Sequence, residues 1–278
     1  MKTRRRPRPA LAGLLTGASL ALAVVGLAQS AQAQTGTFAP GLTESAASSG
    51  LTTPLNTNAR TYMGYLSAAE FSSLTTPVYI TGIQFRLATG FNSQITTATW
   101  PPQALAFSEY NIQLAQASAA DVAAGDLEDS SVFANNQNAA TAVTVRSGGL
   151  TIAADSFSNS LAGTNSFGPT ISFTTPYAFL PGSSLTYLID ESGYGTSSTV
   201  PQAAFASTDY LPGVADALVS TAGADATAPG GYTQPLLVQF QYSTAAPVPE
   251  ASTAISLGLM FALALGVVRR GRARKQAA

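Results

Sequence analysis

Along the middle of this chain, apolar and polar residues trade places at every second position. In residues 78–87, Ile83, Phe85 and Leu87 fall on one side, and Gln84 and Arg86 on the other. Residues 110–114 alternate with Asn111 and Gln113 outward, and in 236–242 Leu236, Val238, Phe240 and Tyr242 share a face opposite Gln239 and Gln241. A period of two marks a strand with one buried face, and helical periodicity is confined to one short turn at 118–122. Segments 141–145 and 150–152 flank Arg146-Ser147-Gly148-Gly149 and read as a hairpin. Segments 170–174, 184–189 and 203–206 complete the set of expected strands. Pro101-Pro102, Gly168-Pro169, Pro181-Gly182, Gly193, Pro212-Gly213 and Pro229-Gly230-Gly231 punctuate them. Many short strands and few helices predict an all-β chain, an antiparallel β-sandwich of jelly-roll-like type.

The two ends follow a different rule. Residues 1–8 are basic, 11–27 are apolar, and Ala31-Gln32-Ala33 is an A-x-A cleavage site, so residues 1–33 read as a signal peptide cut by signal peptidase at Ala33. At the other end, residues 253–268 are apolar or small, and Arg269, Arg270, Arg272, Arg274 and Lys275 follow as a basic stop. Sixteen helical residues at about 1.5 Å each approach the hydrocarbon thickness of a bilayer, and snorkelling arginines make up the difference. Ten of the thirteen cations sit in the two ends; the segment between them carries only Arg60, Arg86 and Arg146 against fourteen acids, a net of −11. That distribution places the body outside the cytoplasm and the C-terminal arginines inside it. An acidic body also argues against nucleic acid as a partner, because phosphate binding needs a basic face.

The expected organisation is a signal peptide at 1–33, a flexible lead-in with the first strands at 34–77, the sandwich at 78–243, and a membrane-directed segment at 244–278. The lead-in at 34–49 is small and polar, 220–231 is a loop, and 243–247 is a spacer.

Chemistry is bounded first by absence. The chain has no Cys and no His. Histidine-dependent nucleophilic triads, cysteine nucleophiles and His/Cys zinc or haem sites are excluded, and no cofactor is expected. Asp121, Asp126, Glu128 and Asp129 form the densest acidic cluster, a calcium candidate whose spacing does not match an EF-hand loop; the competing reading is a solvated loop. Asp190-Glu191 at a strand end allows the same two readings. Glu70, Glu109, Asp155, Glu191 and Asp209 are the acids available to a glycosidase, although no spacing marks a pair. Trp100, Phe91, Tyr194, Tyr210 and Tyr232 are candidates for a sugar-stacking platform or, alternatively, core residues. An enzyme is not expected; a carbohydrate-active enzyme or binding module is the alternative.

Immediately before the apolar C-terminal run stand Val248-Pro249-Glu250-Ala251-Ser252. This motif, the helix and the arginine cluster together resemble the sorting signal of PEP-CTERM proteins of Gram-negative bacteria, which usually reads Val-Pro-Glu-Pro-Ser. The chain departs from it at Ala251. The resemblance implies recognition by an exosortase, a membrane transpeptidase or protease that cuts near the motif and delivers the body to the cell surface or matrix. Pro249 keeps this strip out of the following helix and leaves it extended at the membrane surface. The stretches 80–86, 111–114, 132–136, 147–150 and 173–177 are similar to PEP-CTERM proteins of unknown function; that likeness implies a secreted β-sandwich and brings no catalytic residues.

The expected role is therefore structural or adhesive at the cell surface, with the exosortase and signal peptidase as processing partners, exopolysaccharide as a candidate partner, and the membrane contacted through the C-terminal helix. A permanently anchored single-pass protein is the further alternative.

Overall fold

The computed structural model describes residues 35–39, 49–129, 131–160, 163–195, 200–207, 215–223 and 225–246. Ala31 and Ala33, Asp209 and Tyr210, the motif 248–252, the apolar run 253–268 and the basic stop from Arg269 to Lys275 lie outside the described residues.

One sheet orders β1 (Thr35–Phe38), β16 (Val238–Ser243), β4 (Val78–Phe85) and β11 (Ile171–Phe179). A larger sheet orders β15 (Gly231–Thr233), β14 (Ala215–Ser220), β3 (Arg60–Leu66), β12 (Leu185–Glu191), β7 (Tyr110–Gln116) and β8 (Val143–Arg146). Three small pairs join β5 (Thr99–Trp100) to β10 (Phe157–Ser158), β2 (Ser49–Leu51) to β13 (Phe205–Ser207), and β6 (Leu105–Phe107) to β9 (Leu150–Ile152). All of these pairings are antiparallel. The described chain is all-β, with one short helix, α1 (Ala119–Ala124), and two 3-10 turns, Ala68–Phe71 and Phe133–Asn136.

The two larger sheets share one apolar core. Ile80, Ile83, Phe85, Val238 and Phe240 come from the smaller sheet, and Tyr62, Leu66, Ile112, Leu114, Leu185, Tyr187 and Ile189 from the larger. Tyr187 meets Phe240 edge-on at 6.4 Å, and Phe71 links Phe179 at 4.5 Å to Phe240 at 6.5 Å. Burying an aromatic side chain of this kind stabilises by roughly 2–3 kcal/mol, so the core rather than local propensity holds these short strands together.

The alternation read in 78–87 holds with one interruption. Ile83 and Phe85 are buried, and so are Val78 and Ile80, which have the opposite parity. A register shift opposite Gln241 and Tyr242 skips Thr81 and lets both halves of β4 face the core. Arg86, expected outward, is only 3% exposed; its guanidinium lies 5.4 Å from the centre of the Phe167 ring. The hairpin expected around residues 146–149 is not formed. β8 pairs with β7, and β9 pairs with β6. The Arg146 guanidinium donates to the carbonyls of Tyr110, Gly148 and Gly149, and Gly148 takes φ +90°, so the chain turns away from its own β8 edge. The stretch read as a polar lead-in contributes β1, which covers the outer edge of β16.

Candidate functional site

The second face of the six-stranded sheet holds the polar chemistry. Successive strand residues point to opposite faces, so the register fixes which side chains stand in rows there. One row runs Gln113, Leu188, Met63, Leu218 and Tyr232 across β7, β12, β3, β14 and β15. A parallel row runs Asn111, Asp190, Thr61 and Ser220, and a third includes Ala115, Thr186, Tyr65 and Asp216.

A strap, residues 118–129 and 131–136, lies over the middle of these rows. It leaves the sheet after β7 and returns beside it, closed by a bridge between Ala117 and Gln137. Ser118 caps α1 by accepting from Asp121 N at 3.1 Å, and Gly125 ends it at φ +77°. Leu127 and Phe133 pack on Met63, Tyr65 and Leu218. Phe133 N donates to Thr227 O at 3.1 Å, and Leu127 N donates to Asp216 Oδ2 at 3.2 Å. The buried Asn136 closes the strap internally, accepting from Asp129 N at 2.9 Å and donating to Asp129 O at 2.7 Å.

Cavities flank the strap. On the β14–β15 side, Asp126, Leu127, Glu128, Asp216 and Tyr232 line one of about 440 Å³. On the β7–β12 side, a cavity of about 420 Å³ is lined by residues including Gln113, Phe133, Gln137, Leu188, Asp190 and Asp225. It continues into a space of about 250 Å³ that shares Gln113, Leu188, Asp190 and Asp225 and reaches Asn111, Thr144 and Ser147. No Lys or Arg is among the described residues that line any of the three.

Each side has an acid on its floor. Asp216 is pushed up to about 6, first by burial, although the N–H groups of Ala217 and Leu127 oppose the shift. Asp190 is pushed up to about 6 by burial and by a carboxyl–carboxyl hydrogen bond with Asp225. Its Oδ1 accepts from Thr61 Oγ1 at 3.1 Å and from Asp225 N, which holds Asp225 against the sheet. Asp225 holds a left-handed φ of +57° there.

The sequence candidates scatter. Asp129 turns into its own loop, accepting from Ser131 N and Oγ, Val132 N and Asn135 Nδ2; the Ser131 hydroxyl is the main reason its carboxyl falls below the usual carboxylate range. Asp121 is buried and pushed up by that burial, and it accepts from Glu128 N at 2.9 Å. Asp126 and Glu128 line the first cavity. Among the described residues no three acids stand close enough to hold a metal ion. Asp190 and Glu191, adjacent in sequence, diverge to opposite faces and cannot ligate one cation together. Glu191 is fully buried toward the core, accepts from Asn56 N at 3.3 Å and Gly193 N at 3.2 Å, and is pushed up to about 8 by burial.

The glycosidase acids do not converge either. Glu109 accepts from Asn111 Nδ2 at 2.8 Å, Asp155 accepts from Thr99 Oγ1 at 2.6 Å, and Glu70 sits in the turn before β4. Trp100 is core: it is fully buried against Phe157 and Phe205, with Nε1 donating to Pro201 O at 2.9 Å. Tyr194 packs edge-on to Phe107, and Phe91 is exposed away from these cavities. Of the described residues in the expected aromatic platform, Tyr232 alone lines one of these three cavities. Asp190 and Asp225 do come together: the Asp225 N–H donates to Asp190 Oδ1, and both residues line the cavity on the β7–β12 side. Asp225 was not singled out in the sequence; its only mark is an acid within the turn-rich 220–231 loop.

No family model matches this chain. No curated protein matches it. No solved structure matches it.

Proposed function

We propose that this is an exported surface or matrix protein, delivered by an exosortase-type system and acting as a structural or adhesive ectodomain. The observation that carries the reading is the arrangement of the sequence ends: a cleavable leader, an acidic body, then Val248-Pro249-Glu250-Ala251-Ser252, an apolar run and a basic stop. In this reading the body is a jelly-roll-like β-sandwich, residues 253–268 form one transmembrane helix, and cleavage near Glu250 frees the body. The all-β described body is compatible with such a cargo. No helix among the described residues is long and apolar enough to cross a membrane, so on this reading the membrane contact belongs to residues 253–268.

Intact mass analysis of membrane and culture-fluid fractions tests it. A chain beginning at Gln34 and ending near Glu250 in the fluid or matrix is the expected product. Full-length chain found solely in the membrane would leave the permanently anchored alternative standing.

A further inference from the structure

The first strand of the body pairs with the last. β1 runs antiparallel to β16, with Thr35 opposite Ser243, Gly36 opposite Tyr242, Thr37 opposite Gln241 and Phe38 opposite Phe240. β1 stands at the edge of its sheet, and β16 is its one hydrogen-bonded strand neighbour. Side chains fix the seat. The Tyr242 ring lies so close over Gly36 that a Cβ there would stand 2.7 Å from it, and Phe38 stacks on Phe71 at 5.3 Å. β1 therefore has no strand to dock on until β16 has formed beside β4.

The two expected processing sites differ in their distance from this pair. Gln34 alone separates Ala33 from Thr35, whereas six residues, 244–249, separate Ser243 from Glu250. The Ser243 hydroxyl donates to Ala245 O at 2.9 Å and accepts from Ala245 N at 3.3 Å, a local turn at the end of β16. A protease takes its substrate extended, with residues on both sides of the cut in its cleft. A paired segment is thus cut from the fraction of molecules in which it is open. A cleft that holds Ala33 and Gln34 reaches Thr35, and so competes with β16 for β1.

We propose that the leader is removed only while β1 is undocked, and that pairing of β1 with β16 then closes the fold, whereas a cut near Glu250 does not require β16 to open. The inference rests on the reading of residues 1–33 as a leader and of Glu250 as the sorting site, and adds the order of events. In the first step water adds across the Ala33–Gln34 peptide bond, leaving a carboxylate on Ala33 and an ammonium on Gln34. Because β1 waits for the last strand to be exported, its segment stays open to signal peptidase throughout export.

The chain has no cysteine, so a Thr37→Cys, Gln241→Cys double variant can form one intramolecular disulfide. Opposed Cα atoms in an antiparallel pair lie about 4.5–5.5 Å apart, within the about 4.4–6.8 Å that a disulfide spans. The full chain, leader included, is folded in detergent, oxidised or left reduced, and treated with purified signal peptidase; intact mass reads the cut. The oxidised chain is expected to be cut after Ala33 at least about tenfold more slowly than the reduced one. Gly36→Val, which the Tyr242 ring blocks from docking, should be cut several-fold faster than the parent chain. A glutamyl endopeptidase should cut after Glu250 at the same rate in both redox states. Equal rates at Ala33 in the two redox states would overturn the proposal. So would a disulfide that forms between chains instead of within one, or a cut at Glu250 slowed as much as the cut at Ala33. A chain unfolded in urea, diluted into the assay and still uncut at Ala33 would instead overturn the leader reading itself.

Discussion

The two cavities beside the strap look alike by charge and differ in valence. Each has an aspartate pushed up to about 6 on its floor, and neither has a described basic residue in its lining. Asp216, however, is spent: Oδ1 accepts from Ala217 N at 2.7 Å and Oδ2 from Leu127 N at 3.2 Å, so both oxygens hold the backbone, and one of them pins the strap. Asp190 instead takes both Thr61 Oγ1 and Asp225 N on the single oxygen Oδ1, and it shares its cavity with Asp225. Acidity alone would have assigned both cavities the same role. The difference lies in which oxygens are already occupied.

The strap that separates the cavities offers the largest effect. Phe133 is 2% exposed and anchors it over Met63 and Leu218. Phe133→Ala should cost about 3 kcal/mol or more, read as a fall in the urea midpoint, because a large cavity opens where little can collapse. A loss under about 1 kcal/mol would mean that the strap is held by its hydrogen bonds instead, and that the two cavities are not separately framed.

Next in size is the dependence on pH. Asp190, Asp216 and Glu191 all have folded values above their unfolded ones, at about 6, about 6 and about 8. Their stabilisation is present in full below about pH 4 and is lost as pH rises through those values, because the folded state holds the protons more tightly. Asp129 opposes this only below about pH 4, since its folded value is lowered and its contribution fades as acid protonates it. Urea unfolding should therefore show stability falling between about pH 4 and pH 8, by on the order of 2 kcal/mol after allowance for solvent screening. A flat or rising profile over that range would mean that these acids titrate normally and that neither cavity floor is desolvated.

Substituting the two aspartates sharpens the contrast. Asn keeps one acceptor and replaces the other with a donor. Asp216→Asn would set an NH₂ group against a backbone N–H and should cost about 1–3 kcal/mol. Asp190→Asn can keep its oxygen on Thr61 and Asp225 N, the two donors that Oδ1 holds, and should change stability by less than about 1 kcal/mol. Equal losses in thermal or urea unfolding would abolish the distinction between the two sides.

Much of the larger architecture was legible because many strands bury one face. Asn111 and Gln113 read as outward, and they line the cavity; Val238 and Phe240 read as inward, and they fill the core. β3 escaped detection because both of its faces are covered. Tyr62 and Leu66 enter the main core while Met63 and Tyr65 lie under the strap, which erases the alternation. Gly64 adds to the disguise: it looks like a strand breaker, yet Tyr187 lies across it so closely that a Cβ there would stand 2.3 Å from the ring. The carboxyl pair was hidden for another reason. Asp190 and Asp225 are 35 positions apart, and only the loop hydrogen bonds of Thr61 and Asp190 bring them together. Local spacing carries no trace of such a pair, whereas adjacency drew notice to Asp190-Glu191, which the pleat sends to opposite sides of the sheet.

The smallest expected effect on stability separates an amide engaged within the fold from one that faces a cavity. Gln113 and Asn136 both border the strap region, and both carry a primary amide. Asn136 is fully buried with its oxygen and nitrogen engaged by Asp129, so Asn136→Ala would release the half-buried N–H and carbonyl of Asp129 and cost about 1–2 kcal/mol. Gln113 is half-buried and bonded to no described residue, so Gln113→Ala forfeits no hydrogen bond and should change the urea midpoint by an amount equivalent to at most about 0.5 kcal/mol. A loss of about 1 kcal/mol or more in Gln113→Ala would reverse the assignment: Gln113 would then belong to the frame of the sheet.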